Sequence, residues 1–434
     1  MIDKTPTNKT RATYAPGDQD PAFGTVGTLP GTDVILVVTE IMESSENKAD
    51  QKFYLLDKEL WKASSISRYE AKGRPDQSFN GGAPLEIPSL VDDLLTGHIY
   101  VHGMIFHPES GTITCVGDTV VRAESGHYHA PGAIRLTASG EMDVTFGKEG
   151  TAIYPTGQVS ATSNNTYLAP FASPRRSQQP ADQDVIFVAR LLDFNTRQHS
   201  FYLVKIKPDG AADDQFGDDG NGLLLLDTDG DGDAWYDYGV DSLGNILLVG
   251  VTTSGSPTYG KMMRYTADGQ PDPSFGSGGG VQIVDAGGEQ SRILQMYLSD
   301  EGKSTLLLAV YEQGQDTEKM ALIRRLANGE PDTTFNNGDA LFIDVFYNNG
   351  SGSPHMEVDG EGRFIIRQHI PNTPARLTRL TPEGLLDGTF GSNGTIVYSD
   401  LLALHRTAVH RDVDLLARIH RDYDTKALIV RYLG

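Results

Sequence analysis

The chain has 434 residues, of which 38% are hydrophobic, with 48 glycines, 22 prolines and a formal net charge of −22. That charge argues against nucleic acid and anionic membrane surfaces as partners, since both need basic patches that displace counterions. Cys115 is the single cysteine, so an intrachain disulfide and a cysteine zinc site are excluded.

The N-terminal run M-I-D-K-T-P-T-N-K-T lacks the apolar core of a secretory signal. No stretch reaches the roughly 18 apolar residues of a spanning helix. The expectation is a soluble cytoplasmic protein without a membrane span, with export by a route lacking a cleaved signal as the alternative.

In chain order, Gly17, Asp20 and Phe23 come first, and their spacing then recurs behind a basic residue. The whole pattern is a cation, a Gly five residues on, an Asp three later and a Phe three further. It stands at Arg68/Gly73/Asp76/Phe79, Arg135/Gly140/Asp143/Phe146 and Lys205/Gly210/Asp213/Phe216. It returns at Arg264/Gly269/Asp272/Phe275, Arg324/Gly329/Asp332/Phe335 and Arg379/Gly384/Asp387/Phe390. Arg431-Tyr432-Leu433-Gly434 supplies the basic half alone at the far end. A period near 60 residues is too long for helical hairpins and suits four strands with tight turns.

Between these turns the apolar runs read as strands. After Phe216 they are Gly222–Leu226, Tyr236–Asp241, Ile246–Val251 and Lys261–Tyr265. After Phe275 they are Val281–Val284, Ile293–Leu298, Thr305–Val310 and Met320–Leu326. Comparable sets follow Phe335 and Phe390. Each set reads as a four-stranded meander that cannot bury its apolar faces alone and must stack on its neighbours. The split copy at the two termini favours a closed ring, in which no sheet edge is left exposed. The expectation is one all-β domain over residues 1–434: a seven-bladed β-propeller of four-stranded antiparallel blades, closed by the termini. Residues 163–184, rich in Ser, Asn, Pro and Gln, read as a loop insertion, and Glu43–Gln51 as a second long loop.

The tandem R-L-x-x-x-G-x-x-D-x-x-F-G pattern, with the D-x-x-G-x-I-L-like segment Asp241–Gly250, resembles the bacterial delta-60 repeat family. The resemblance covers nearly the whole chain from Gly17 and implies a propeller-like architecture. It brings no catalytic residues with it.

The repeated residues read as folding residues. The Asp accepts backbone N–H groups of its turn, the Phe fills a seam between blades, and the Gly permits positive φ. The chemistry-bearing candidates lie elsewhere. In D-T-D-G-D-G-D-A-W-Y-D, Asp229, Asp231, Asp233 and Asp237 fall at positions 1, 3, 5 and 9 of a calcium loop, where alternate carboxylates converge on a hard cation. Ala234 stands where such loops prefer Gly, and no glutamate completes an EF-hand, so a solvated acidic turn is the competing reading. Trp235 and Tyr236 beside that loop are candidate platforms for a sugar ring. His102, His107, His127 and His129 are a second candidate metal set, against histidines scattered on strand ends. There is no G-x-S-x-G elbow, and Gly276–Gly280 precedes no helix that would make it a phosphate loop.

No convergent acid–base or nucleophile set stands among the repeats. The sequence therefore reads as a non-catalytic binding or scaffold propeller that recognises a protein or glycan partner through loops on one face. The alternatives are a metal-assisted hydrolase or lactonase-like propeller with its site at the central channel, and a structural module of a secreted or surface assembly.

Overall fold

The computed structural model describes residues 28–30, 37–39, 52–57, 64–87, 89–92, 95–107, 110–123, 126–154, 166–168, 184–193, 199–217, 220–226, 234–252, 258–276, 280–287, 290–311, 318–347, 354–368, 374–398, 403–410, 414–420 and 428–432. Of the two long loops expected from the sequence, residues 43–51 lie outside this set, as does most of 163–184.

Each repeat turn is a hairpin inside a sheet. At Arg264 the third strand, Tyr259–Tyr265, ends. Thr266 and Gly269 then close a tight turn, the Asp272 N–H returns to the Arg264 carbonyl, and Phe275 N–H bonds the Asp272 carbonyl. The chain emerges into Val281–Val284, which pairs back on Tyr259–Tyr265. The strand after the Phe thus completes the preceding sheet and does not open the next one. Sequence unit and sheet are out of phase by one strand, which corrects the grouping drawn from the repeats. Leu223–Leu226, for example, pairs with His199–Ile206.

Six sheets are four-stranded antiparallel meanders. The one containing the first whole repeat turn orders Val37–Thr39, Phe53–Asp57, Ser65–Tyr69 and Leu85–Glu86. Further along come sheets beginning with Thr166–Leu168, Ala234–Val240, Gln290–Leu298 and His355–Val358. The last joins Ala403–His410, Asp414–His420 and Leu428–Tyr432 to Thr28–Pro30, with Thr28 opposite Val430.

The expected seven-bladed propeller is not what the chain builds: among the described residues the four-stranded blades number six. The remaining sheet has six strands on a branched path. Its long hairpin, Thr112–Ala123 against Gly126–Leu136, outruns a normal blade strand. One half of Thr112–Ala123 pairs with Tyr100–His107, and its far end takes on Leu95–His98, with Leu95 opposite Val121. A further strand, Ser89–Asp92, completes that added hairpin.

The core lies between sheets. One cluster joins Phe146, Phe187, Phe201, Phe216 and Trp235, which belong to three successive sheets. Others join Tyr54, Phe79 and Ile134, then Val249, Phe275 and Leu306, then Leu307, Phe335 and Ile366. The repeat Phe side chains at 79, 146, 216, 275, 335 and 390 are all buried, each contributing about 1.5–3 kcal/mol by removal from water.

Candidate functional site

Antiparallel register sorts the loops onto two ends. In the sheet beginning with Ala234–Val240, Ala234 lies opposite Val251, Thr252 opposite Tyr259, and Gly260 opposite Val284. Val240, Ile246, Tyr265 and Val281 mark the other end of the same sheet. The repeat turn and the Asp241–Asn245 turn occupy that second end. Ala234, Thr252 and Tyr259, the described residues that flank 227–233 and 253–257, stand at the first end, opposite the repeat turns.

The cations and carboxylates of the repeat turns are engaged in holding the fold. Arg324 donates from Nε to Asp332 at 2.8 Å and from Nη1 to the Pro382 carbonyl of the next repeat at 2.8 Å. Arg68 forms an ion pair with Asp76 at 2.6 Å and donates from Nη1 to the Ala138 carbonyl at 2.8 Å. Lys205 reaches Asp213 at 2.9 Å and the Ala267 carbonyl at 3.0 Å. Arg135 and Arg264 donate to the Pro208 and Ala327 carbonyls. Every one of these acceptors stands two residues before the Gly of the following repeat. The cations also cover the repeat rings, with Arg379 Cζ 4.4 Å above Phe390 and Arg135 Cζ 4.3 Å above Phe146. Each Asp caps its turn as expected, accepting the N–H two residues on, as in Asp332 from Thr334 and Asp387 from Thr389, both at 3.0 Å.

These contacts set the carboxyl groups low. Burial pushes Asp76 up, but the Ser78 amide and hydroxyl, Lys52 and Arg68 outweigh it and hold the carboxyl at about 2. Asp213, Asp272, Asp332 and Asp387 are also lowered: in each, burial is opposed by hydrogen bonds from the turn and by the facing cation.

On the inner strands a second polar set joins neighbouring sheets. Asp237 is 5% exposed and accepts the Tyr238 N–H and, from the next sheet, the Met296 N–H, each at 3.0 Å. Gln295, at the same place in its own strand, accepts the Met356 N–H at 2.8 Å and donates to the Met356 carbonyl. The next member of the series is His355, buried and hydrogen-bonded to Glu357. The sequence reading missed the Asp237–Met296 and Gln295–Met356 links and the seam bond of the repeat cation, because each joins residues 58 or more apart.

Trp235 is buried, with Lys261 Nζ 5.3 Å from its ring centre, so in this structure the indole is a packing element and not an open platform. The side chain of Tyr236 and residues Asp229, Asp231 and Asp233 lie outside the described residues. His107 is buried and bonds Thr114 Oγ1 at 2.8 Å. The side chains of His102, His127 and His129 lie outside what is described. Among the described residues no group of three or more His, Cys, Asp or Glu is placed to hold a metal ion. Among them, too, no helix is long and apolar enough to cross a membrane. Cys115 is buried, and desolvation raises its thiol far above the ordinary range.

A family model described as a domain of unknown function (DUF5122) beta-propeller matches residues 244–275, the segment from the Asp241 turn to the Phe of the fourth whole repeat. The chain is a β-propeller. Among solved structures it is similar to apo prolyl oligopeptidase B from Galerina marginata, at 10% identity and a TM-score of 0.50, covering 94% of this chain and 50% of that one. The propeller thus spans half the length of that protein. It is also similar to the β-propeller domain of Nup133 from Vanderwaltozyma polyspora (10% identity, TM-score 0.43, 93% and 100% covered). A third is an endo-arabinase from Bacteroides thetaiotaomicron (11%, 0.34, 88% and 97%). At such identities the likeness speaks to fold alone. No curated protein matches the sequence.

Proposed function

We propose that this propeller is a non-catalytic binding module that recognises a protein or glycan partner through the loops opposite the repeat turns. The observation that carries this reading is the division of labour between the two ends. At one end the repeating cations and carboxylates are engaged with each other and with neighbouring backbone, as in Arg324 with Asp332 and Pro382. The strand ends that flank segments of differing composition, at 227–233, 253–257 and 312–317, lie at the other end. Rigid scaffold at one end with variable loops at the other is how binding surfaces are commonly arranged.

A glycan array and a pull-down with the full chain test the proposal. Binding that is lost when loop residues 227–233 are replaced by a short Gly-Ser linker is the expected result. Turnover on a hydrolase substrate panel, with no binding in either assay, would overturn it.

A further inference from the structure

The outer strands of four successive sheets each expose one apolar side chain at the same register. Leu225, Ile283, Phe342 and Val397 lie opposite the residue three before the repeat cation, namely Tyr202, Lys261, Ala321 and Arg376. Their exposures are 50%, 49%, 46% and 50%, unusual for large apolar residues placed so regularly. The corresponding residue of the first sheet is Glu86, opposite Ser65.

Where Phe342 and Val397 face each other, the seam between two blades opens into a cleft of about 640 Å³, within the range of ligand sites. Leu341, Ile343, Leu380 and Leu386 line it together with those two residues. Its one charged side chain is Arg376, beside Val397; the other polar lining is Thr378, Thr395, Ser392 and Asn393.

Arg376 differs from the repeat cations. Of those, Arg68, Lys205, Arg264, Arg324 and Arg379 each pair with an Asp of their own turn, as Arg379 does with Asp387 at 2.8 Å. Lys261, the residue matching Arg376 in another sheet, is buried against Trp235. Arg376 is exposed, lies on the cleft wall, and has no carboxylate partner among the described residues.

We infer that this cleft binds a small apolar monocarboxylate, its tail against Leu341, Ile343, Leu380 and Leu386 and its carboxylate on Arg376. A guanidinium beside an apolar wall matches a carboxylate in planar, two-pronged geometry. One cation balances one negative charge, and a chain of net charge −22 opposes ligands that are more highly charged. The site lies on the rim, so it stands or falls independently of the loop surface proposed above.

Calorimetric titration of the full chain with decanoate below its micellar concentration, alongside decanol and acetate, tests this. Decanoate binds the parent. Arg376→Gln weakens it by about tenfold or more, as loss of a charge-assisted bond should, while decanol binding stays unchanged. Acetate, without a tail, does not bind. Val397→Asp, at an exposed position, abolishes decanoate binding with the melting temperature retained. Absence of decanoate binding to the parent would overturn the inference, as would equal affinity in Arg376→Gln. So would Arg376-dependent capture of an apolar peptide that decanoate cannot match.

Discussion

Arg324 Nη1 donates to the carbonyl of Pro382 at 2.8 Å across the seam between two blades, while its Nε holds the buried Asp332 at 2.8 Å. One side chain thereby caps its own hairpin, covers Phe335 and fixes the turn of the next repeat. Arg68, Lys205 and Arg264 likewise pair with the Asp of their own turn and bond the carbonyl of the following one, whereas Arg135 turns its Nε to Thr114. The arrangement explains why a basic residue belongs to the spacing at all.

Removal of that cation should expose its double role. Arg324→Met leaves buried Asp332 with only Lys303 Nζ at 3.8 Å and its Thr334 hydrogen bonds, and a loss of about 1.5–3 kcal/mol is expected in urea unfolding, as for a lost hydrogen bond to a charged group. Arg324→Lys should cost only ~1 kcal/mol, because Lys205 already reaches both kinds of acceptor from the same position. Equal losses in the two variants would show that the seam bond needs a guanidinium.

Gly384 combines backbone and packing demands that can be separated. Its φ is +91°, and an added Cβ would stand 2.9 Å from Leu341 Cδ2 and 3.0 Å from Phe335 Cε2. Gly362 has φ +78° but only Pro382 nearby, at 3.6 Å. Gly362→Ala should therefore cost about 1–2 kcal/mol from left-handed backbone alone. Gly384→Ala adds an overpacking penalty of about 1–3 kcal/mol, readable as a larger drop in the denaturant midpoint at unchanged slope.

Acid should unfasten the repeat turns. The folded carboxyl of Asp76 is held at about 2, and those of Asp213, Asp272, Asp332 and Asp387 are also lowered. An unfolded Asp titrates near ~3.9. A depressed folded value means that the stabilisation is complete above the unfolded value and lost as pH falls through the folded one. Unfolding free energy should thus decline between about pH 4 and 2, and Asp76→Asn should flatten that decline. An unchanged slope in Asp76→Asn would assign the acid sensitivity to other groups.

The repeat turns were legible because each residue has a strict local demand: positive φ at Gly384, an amide-capping carboxylate at Asp387, a buried ring at Phe390. Strands such as Val281–Val284 and Ile246–Val251 were legible too, as β-rich runs between turns. What escaped was pairing at a distance. The interval from Phe79 to Phe146 betrays extra length, but nothing local says that Leu95 will lie opposite Val121 in a six-stranded sheet. Nor does the segment after Phe275 announce that it folds back on the strand before it. Trp235 shows the same limit at the candidate site: composition suggests an aromatic platform, and the neighbouring sheet buries it.

The acidic loop supplies the last test. We propose that Asp229, Asp231 and Asp233 ligate calcium, while the fourth ligand expected from the spacing, Asp237, is engaged by the Tyr238 and Met296 amides. These two roles predict opposite responses to metal. In calcium the parent should melt higher than in chelator, by an amount equivalent to about 2.7 kcal/mol at a hundredfold excess over the dissociation constant. Asp233→Asn should erase that increment without altering the melt in chelator. Asp237→Ala leaves the Met296 N–H buried without an acceptor, so it should cost roughly 1–3 kcal/mol in either buffer. Parent melts that coincide in calcium and chelator would retire the metal and leave the loop a solvated acidic turn, with Asp237 still the clasp between two blades.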